Sequence, residues 1–356
     1  MSNDENKKIF EAFKQDKENG IIKFDRTLGK GSYGEIRDVQ INTSYKIMAA
    51  KLITKEPKNK DCLSIVKDLR GPNIVKIVHI ISKMIDNKPY SLVIMEKAAL
   101  RDLGKLSEFF HNYNLLRTIN KPFNDYKNES YTGENLLRFY VKQIVEGMEI
   151  LNRYSLVHFD IKPENLLTNN NIKLKICDFS LLTKFDNTTD ELKIPGGTHG
   201  YTSPEYYSLD KVSKYNAIKQ DMFGLGSTLF NVKYGKPLIS GKKTDKDSKT
   251  HDNIKYELET DYEFIRSKVA PSDDFNKFLL QLISMDKDER TNFEELYRNK
   301  WINKNGTLIN VVYSNCEGDE EKLLMELEKS DFLETKIEKK KAKKFKLKLK
   351  KNKFQN

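Results

Sequence analysis

The segment from residue 158 to residue 180 constrains the fold of this chain more than any other part of the sequence. It begins with a polar stretch that contains Asp160 and Asn165, as a loop does. Residues 172–176 then alternate apolar and polar side chains, which is the pattern of a half-buried strand. Asp178 follows that strand, 18 residues after Asp160. This spacing predicts a short hairpin that brings the oxygen atoms of Asn165 and Asp178 to one site.

These side chains are the ones that phosphoryl transfer requires. The reaction needs an acceptor for the proton of the incoming hydroxyl, cations beside the phosphates and oxygen ligands for Mg²⁺. Asp160 can orient the hydroxyl, and Lys162 can neutralise charge on the transferred phosphate. Asn165 and Asp178 can supply the metal ligands. Any one of these residues alone would more simply be a loop cap or a surface charge, but the four in this order favour phosphoryl transfer.

A glycine-rich turn near the N-terminus points to the same substrate class. Gly29, Gly31 and Gly34 have the spacing of a phosphate-binding loop, although a glycine-rich turn by itself is weak evidence. A dinucleotide-binding turn is followed by a helix, whereas residues 35–41 alternate as a strand does. Backbone N–H groups can approach phosphates closely where side chains are absent. Lys51, in the next predicted strand, is the cation that such a site needs.

The order of predicted elements indicates an α+β fold and excludes an alternating βαβ layout. Strand patterns come first and helical periodicities later. The predicted strands comprise residues 21–24, 35–41, 46–53, 74–81 and 90–95. The predicted helices comprise residues around 62–69, 137–151, 222–232 and 275–282.

With these motifs in place, the sequence resembles the eukaryotic-type protein kinases from about residue 24 to residue 301. The resemblance implies two lobes, a small β-rich N-lobe and a larger helical C-lobe. The implied boundaries are an N-terminal extension at 1–23, the N-lobe and hinge at 24–98, the C-lobe at 99–301 with an insert loop at 107–133, and a C-terminal extension at 302–356.

The resemblance also implies roles for individual residues in a Ser/Thr protein kinase that uses ATP and Mg²⁺. Asp160 and Lys162 are expected to be catalytic, and Asn165 and Asp178 to hold the metal. The expected ATP-binding residues are Leu28, Gly29, Gly31, Gly34, Ile36, Ala49, Lys51, Glu96, Ala98, Asp102 and Leu167. Lys162 and the Gly-Thr pair at 197–198 resemble Ser/Thr kinases more than Tyr kinases. Glu205 is expected to pair with Arg290, and Asp221 and Gly226 to lie on a helix beneath the catalytic loop.

Three positions depart from the family pattern. Cys62, ten residues before Pro72, stands where the family has the helix glutamate that orients the strand lysine, and Asp61 beside it is a candidate substitute. Phe159 replaces the arginine that gathers a phosphorylated activation loop. Ser180 replaces the glycine of the Asp-Phe-Gly motif. An active kinase and a pseudokinase that serves as a scaffold or an allosteric partner therefore both stay open, and the active enzyme is favoured because the four reacting groups are present.

The basic charge of the chain lies in its C-terminal tail. The net charge is +11, and the segment from Lys336 to Lys353 holds eleven lysines and one glutamate, a net +10 that leaves +1 for the rest. Such a tail suits an anionic partner, which could be a lipid surface, RNA or an acidic protein, and it could equally be a solvated tail. A reading in which the tail makes the protein a nucleic-acid or membrane binder has only this segment to support it.

The remaining composition predicts an intracellular protein, in the cytoplasm and also in the nucleus if the tail is an import signal. The sequence contains no apolar run of about 18 residues, the length of a membrane-spanning helix. The first residues are polar and charged, unlike a secretory signal. Three cysteines, at positions 62, 177 and 316, are too few and too scattered for a disulfide framework.

Deleting residues 336–356 should abolish binding to polyanions while phosphorylation of a small peptide survives. Each lysine near an anionic surface contributes about 1 kcal/mol, and the attraction weakens as salt screens it. Co-sedimentation with acidic lipid vesicles and RNA binding, at low and high salt, would measure the difference. Equal binding by the full-length and truncated chains would place the anion site in residues 1–335.

Overall fold

The computed structural model of the protein divides it into two compact units, which we describe separately. The N-unit is Met1–Ala98 with Asp178–Leu182, and the C-unit is Ala99–Cys177 with Thr183–Asn356. The described residues are 3–16, 20–31, 34–42, 46–53, 60–69, 71–98, 102–105, 107, 134–168, 173–186, 191–192, 196–207, 215–235, 238, 259–260, 262–263 and 274–303.

The N-unit is built on one antiparallel sheet. Its elements are α1 (Asn3–Phe13), β1 (Gln15–Asp16), β2 (Gly20–Gly31), β3 (Gly34–Ile41), β4 (Met48–Ile53), α2 (Lys60–Asp68), β5 (Ile77–Ile85) and β6 (Lys88–Glu96). The strand order is β1-β2-β3-β4-β6-β5. The strands and the helix that the sequence predicted here are confirmed, and β1 and α1 are additions that the sequence analysis did not anticipate.

The sheet has two apolar faces because β4 is buried along its whole length. Successive side chains of a strand point to opposite faces. Lys51 pairs with Ile36 of β3 and Val93 of β6, so these three side chains share one face. Ala50 and Leu52 lie on the other face, in a buried cluster with residues of α1.

Helix α1 covers the face of the sheet opposite Lys51. Ile9, Phe10 and Phe13 are each no more than 2% exposed in that cluster. The Phe10 ring packs edge-on against Phe24 at 4.9 Å between centroids, and the Arg37 guanidinium lies 4.4 Å from the Phe10 centroid. The segment that the sequence left as an extension is therefore part of the N-unit core.

The C-unit is rich in helices, as predicted. Its elements are α3 (Glu134–Arg153), β7 (Leu156–Val157), β8 (Leu166–Thr168), β9 (Leu174–Ile176), β10 (Thr183–Lys184), β11 (Glu191–Leu192), β12 (Tyr215–Asn216), α4 (Ala217–Tyr234), α5 (Asp274–Leu282), α6 (Phe293–Arg298) and α7 (Lys300–Asn303). The antiparallel pairs are β7 with β10, β8 with β9 and β11 with β12. The β8–β9 pair is the hairpin predicted after the polar loop.

Helices α3 and α4 form the centre of the C-unit. The predicted apolar stripe of α3 is buried; its members are Leu137, Tyr140, Ile144, Met148 and Leu151. Helix α4 begins at the Asn216 cap and ends at Gly235, whose φ is 70°. A Cβ atom on Gly226 would lie 2.5 Å from Ile283 Cγ2, so only glycine permits the approach of the chain that follows α5.

A buried ion pair joins two distant segments of the C-unit, as the sequence predicted. Arg290 Nη2 lies 2.9 Å from Glu205 Oε1, and the Arg290 side chain is fully buried. The guanidinium also donates to the backbone oxygen of Ser284. Burial lowers the pKa of Arg290, while Glu205 opposes the shift. Removing either partner would leave the other charge uncompensated.

Some predictions fall outside the described residues. These are the insert loop from residue 108 onward, the C-terminal extension from residue 304 with its basic tail, and the side chain of Asp61. Within the ranges that the structure does describe, none of the helices has both the length and the apolar character needed to cross a bilayer.

Replacing Phe10 by alanine should destabilise the protein, because truncating a buried aromatic ring leaves a cavity and costs about 3–5 kcal/mol. Urea-induced unfolding would measure the change. Lys8→Ala is the matched control on the same helix, since Lys8 is 65% exposed and makes only a surface ion pair with Asp86. Equal stability of the two variants would contradict the packing of α1 on the sheet.

Candidate active site

The N-unit places most of the expected ATP-binding residues on neighbouring strands. Gly29 of β2 pairs with Ile36 of β3, and Ile36 pairs with Lys51 of β4. Ala49 pairs with Met95 of β6, just before the expected hinge. Leu28 is exposed. Ile36 and Ala49 therefore lie on the face of the sheet that carries Lys51.

The glycine-rich turn contains one glycine that the fold requires. Gly34 has a φ of 145°, and a Cβ atom there would lie 1.7 Å from the backbone oxygen of Leu52. No residue with a side chain fits this close approach of β3 to β4. A Cβ atom on Gly29 would meet no atom within 4 Å. Gly34 is thus explained by packing, whereas Gly29 leaves open space on β2.

Lys51 forms an ion pair with Asp178. The Lys51 Nζ atom lies 2.5 Å from Asp178 Oδ1, and the Ser180 hydroxyl donates to the same oxygen at 2.9 Å. Cys62, at the family's glutamate position on α2, is 4% exposed and its thiol offers no carboxylate. The sequence analysis sought a partner for Lys51 near residue 62 and missed Asp178. The available signal was the acidic residue of the Asp-Phe-Ser segment itself.

In the C-unit, four side chains converge on the carboxylate of Asp160. Lys162 Nζ donates to Asp160 Oδ2 at 2.7 Å, and the Asn165 amide nitrogen donates to the same oxygen at 2.9 Å. The Thr198 hydroxyl donates to Asp160 Oδ1 at 2.7 Å and accepts from Lys162 at 2.6 Å. Asp160, Lys162 and Asn165, which the sequence selected, are thus brought together with Thr198.

The loop that carries Asp160 is anchored from below by Asp221 of α4. The two carboxylate oxygens of Asp221 accept from the backbone N–H groups of His158 at 2.9 Å and Phe159 at 2.8 Å. Burial raises the pKa of Asp221 to about 7, although these two hydrogen bonds oppose the rise. The anchor lets Phe159 adopt a φ of 62°, a conformation that is strained for a bulky residue.

The two departures near the catalytic loop have structural explanations. Phe159 is 1% exposed, so this position serves the core where the family has a charged arginine. His158 Nε2 lies 2.9 Å from the backbone oxygen of Cys177. Because a carbonyl oxygen only accepts, His158 carries its proton on Nε2 and is neutral, while its Nδ1 accepts from the Asp160 N–H.

The expected hinge residues divide between the two units. In the N-unit, the Glu96 carboxylate accepts from the backbone N–H of Lys76 at 2.7 Å, and Ala98 lies two residues beyond the end of β6. In the C-unit, Asp102 forms an isolated antiparallel bridge with Leu167. Asp102 and Leu167 are therefore adjacent, as their expected shared role around the nucleotide requires.

The donor chemistry of Asn165 and Asp178 fits a magnesium ion. The amide nitrogen of Asn165 is committed to Asp160, both to its carboxylate and to its backbone oxygen. This orientation directs the role of a ligand to the amide oxygen. The Lys51 and Ser180 bonds of Asp178 both go to Oδ1, so neither uses Oδ2. Mg²⁺ prefers such oxygen ligands and takes the remainder from phosphates and water.

Comparison with known proteins assigns the family. Residues 22–302 match the protein kinase domain family. The chain belongs to the protein kinase family. The match covers every element from β2 to α7 except the last residue, and it excludes α1. Membership implies ATP as the phosphate donor and a protein as the acceptor.

The relatives of this kinase domain are serine/threonine kinases by name. It is 25% identical over 285 residues to a probable serine/threonine-protein kinase CCRP1 from Zea mays. It is 27% identical over 252 residues to the serine/threonine-protein kinase ppk21 of Schizosaccharomyces pombe, and 26% identical over 284 residues to a myosin light chain kinase 2 from Rattus norvegicus. These alignments cover 78%, 66% and 78% of this chain, and 40%, 41% and 41% of the relatives. The chain thus spans about two fifths of the length of these relatives.

The raised pKa of Asp221 should make stability depend on pH. An unfolded aspartate titrates near 3.8, and burial moves the folded value to about 7. The folded protein therefore binds more protons between these values, so this contribution to stability is present below about pH 4 and is lost as pH rises through about 7. The free energy of unfolding of Asp221→Asn should fall less than that of the wild type between pH 4 and pH 7. Identical slopes in urea titrations would show that Asp221 keeps an ordinary pKa.

Proposed function

We propose that this protein is an active serine/threonine protein kinase that transfers the γ-phosphoryl group of ATP to a protein hydroxyl with the help of Mg²⁺. The observation that carries the proposal is the network of Asp160, Lys162, Thr198 and Asn165 in the C-unit. It holds a carboxylate, an ammonium and an amide in hydrogen-bond distance of one another. These groups match in kind and number what the transfer reaction needs.

Asp160 is proposed to receive the hydrogen bond of the substrate hydroxyl. The hydroxyl oxygen attacks the γ-phosphorus as the bond to the β-phosphate oxygen breaks, ADP leaves, and the hydroxyl proton passes to Asp160. Thr198 and Asn165 hold the carboxylate from both of its oxygens, which supports a fixed orientation. Lys162, 2.7 Å from Asp160, would balance negative charge on the transferred group.

Lys51 and the glycine-rich turn are proposed to bind the nucleotide phosphates. The Lys51 side chain is only 9% exposed and its ammonium is fixed by Asp178. Asn165 and Asp178 would hold Mg²⁺, which neutralises phosphate charge when it is bound. Leu28, Ile36 and Ala49 offer apolar surface on the Lys51 face of the sheet to the adenine ring.

Preference for serine and threonine rests on Lys162 and Thr198. Their hydrogen bond places the lysine of the catalytic loop against the Gly-Thr segment. The relatives named above are serine/threonine kinases, which supports the same class. Phosphoamino-acid analysis of a phosphorylated protein mixture would decide between hydroxyl types, with phosphotyrosine as the contrary result.

A pseudokinase that acts as a scaffold is the second candidate. One observation favours it: Cys62 is buried on α2 where the family has a glutamate. The Lys51–Asp178 ion pair speaks against it, because the lysine has an acidic partner without that glutamate.

We also propose that the segment from Lys336 to Lys353 associates with an anionic partner, on the basis of its net charge of +10. Its role is separate from catalysis because it contains none of the residues matched to the kinase domain.

Replacing Asp160 by asparagine should lower phosphate transfer by about 10²–10⁴ while ATP affinity stays nearly unchanged, because Asp160 is proposed to meet the acceptor hydroxyl and not the nucleotide. Asp178→Ala should weaken Mg-ATP binding as well. Purified protein, labelled ATP, Mg²⁺ and a mixed protein substrate provide the assay, and calorimetry provides the affinities.

Asp86→Asn is the matched control for Asp160→Asn. Asp86 lies in the exposed turn between β5 and β6, and its φ of 49° is one that asparagine tolerates. This variant should transfer phosphate at the wild-type rate. If the wild type binds ATP but transfers none, the scaffold replaces the enzyme as the function.

A further inference from the structure

Two of the departures from the family pattern lie around a single ion pair in the N-unit. Cys62 removes the carboxylate that normally orients the strand lysine, and Ser180 adds a hydroxyl where the family has none. The ion pair is that of Lys51 with Asp178, whose separation along the chain is 127 residues. The contact of Ser180 with this pair gives the second departure a physical role.

The backbone tolerates serine at position 180. Ser180 is the middle residue of the 3-10 turn Phe179–Leu181, a conformation with negative φ that any L-residue adopts. The unusual backbone angle lies one position earlier, because Asp178 has a φ of 63° and a ψ of 73°. The strain of this segment is therefore at Asp178, and a residue that steadies Asp178 opposes its relaxation.

The Ser180 hydroxyl steadies Asp178 through the oxygen that receives Lys51. Ser180 Oγ lies 2.9 Å from Asp178 Oδ1, and Lys51 Nζ lies 2.5 Å from the same atom. Two donors on one oxygen fix the rotation of the carboxylate and leave Oδ2 out of both bonds. Hydrogen bonds to a charged acceptor are the stronger class.

We propose that Ser180 is a positioning residue that locks the Asp178 carboxylate against Lys51 and so presents Asp178 to magnesium. The inference rests on the proposed use of Asp178 as a metal ligand. Ser180 would supply by a side-chain hydrogen bond part of the order that a glutamate on α2 supplies in the family. The hydroxyl acts through Asp178 and touches neither nucleotide nor acceptor.

The decisive measurement is the gain in nucleotide affinity that Mg²⁺ produces. Ser180→Ala should raise the Kd for Mg-ATP about tenfold, which corresponds to about 1.4 kcal/mol, and should leave the Kd for metal-free ATP within about twofold. A general loosening of the fold would weaken both affinities alike. Ser180→Thr keeps the hydroxyl and should restore the gain. Retention of the full gain by Ser180→Ala would overturn the proposal.

Ser82→Ala is the matched control in the same unit. The Ser82 hydroxyl is also partly buried, but its partner at 3.0 Å is the hydroxyl of Ser91. Losing it should leave the Mg²⁺-dependent gain at the wild-type value. An equal loss of the gain in this variant would mean that the effect of Ser180→Ala is not specific to Asp178, which would also overturn the proposal.

A second arm needs neither nucleotide nor catalysis. In the ligand-free protein, Ser180→Ala should lower the melting temperature by about 2 °C or more, and the same change made in Asp178→Ala should lower it by less than half as much. Residues in contact show such non-additivity. Equal decreases in the two backgrounds would overturn the proposal. A wild type that transfers no phosphate, together with non-additive melting, would instead refute the kinase function and leave the Ser180 contact standing.

Discussion

A charged carboxylate inside a protein has to be compensated by hydrogen bonds, and the C-unit is organised around one such group. Asp221 is buried on α4 and accepts from two consecutive backbone N–H groups, those of His158 and Phe159. The next residue is Asp160, so the anchor and the reacting carboxylate are joined by the shortest possible length of chain. Each further contact of Asp160 depends on this fixed starting point.

The N-unit solves a different problem, which is how to hold an ammonium without the usual glutamate. Cys62 is buried and carries no carboxylate. Asp178 pairs with Lys51, and Ser180 donates to the same carboxylate oxygen. Substitutions that look like separate losses in a motif comparison therefore belong to one set of contacts. A missing motif residue is weaker evidence for inactivity when its neighbours supply the interaction.

Helix α1 adds a layer that lies outside the matched kinase domain. Its buried residues share a cluster with β4 and β6, on the face of the sheet opposite Lys51. Lys83 of β5 donates to the backbone oxygens of Ala12 and Gln15, which satisfies the end of the helix. The Lys51 face thus remains for the nucleotide while the other face is closed by the protein's own N-terminal residues.

The sequence by itself determined the elements and the reacting groups. Alternation and helical periodicity gave strands β2 to β6 and helices α3, α4 and α5, because burial of one face imposes a local period. Short motifs gave Asp160, Lys162, Asn165, Asp178 and Lys51, since chemistry selects residue types at fixed spacing. The Glu205–Arg290 pair also followed from motif order, and the structure contains it.

Only the tertiary structure decided which partner each group has. Asp178 lies 127 residues from Lys51, and Asp221 lies 63 residues from His158, so no local period connects them. Helix α1 escaped notice because a few apolar side chains among charged ones become a core only when a sheet is present to receive them. Ser180 looked like a mild substitution, because a hydroxyl gains a role only from the acceptor that folding places beside it.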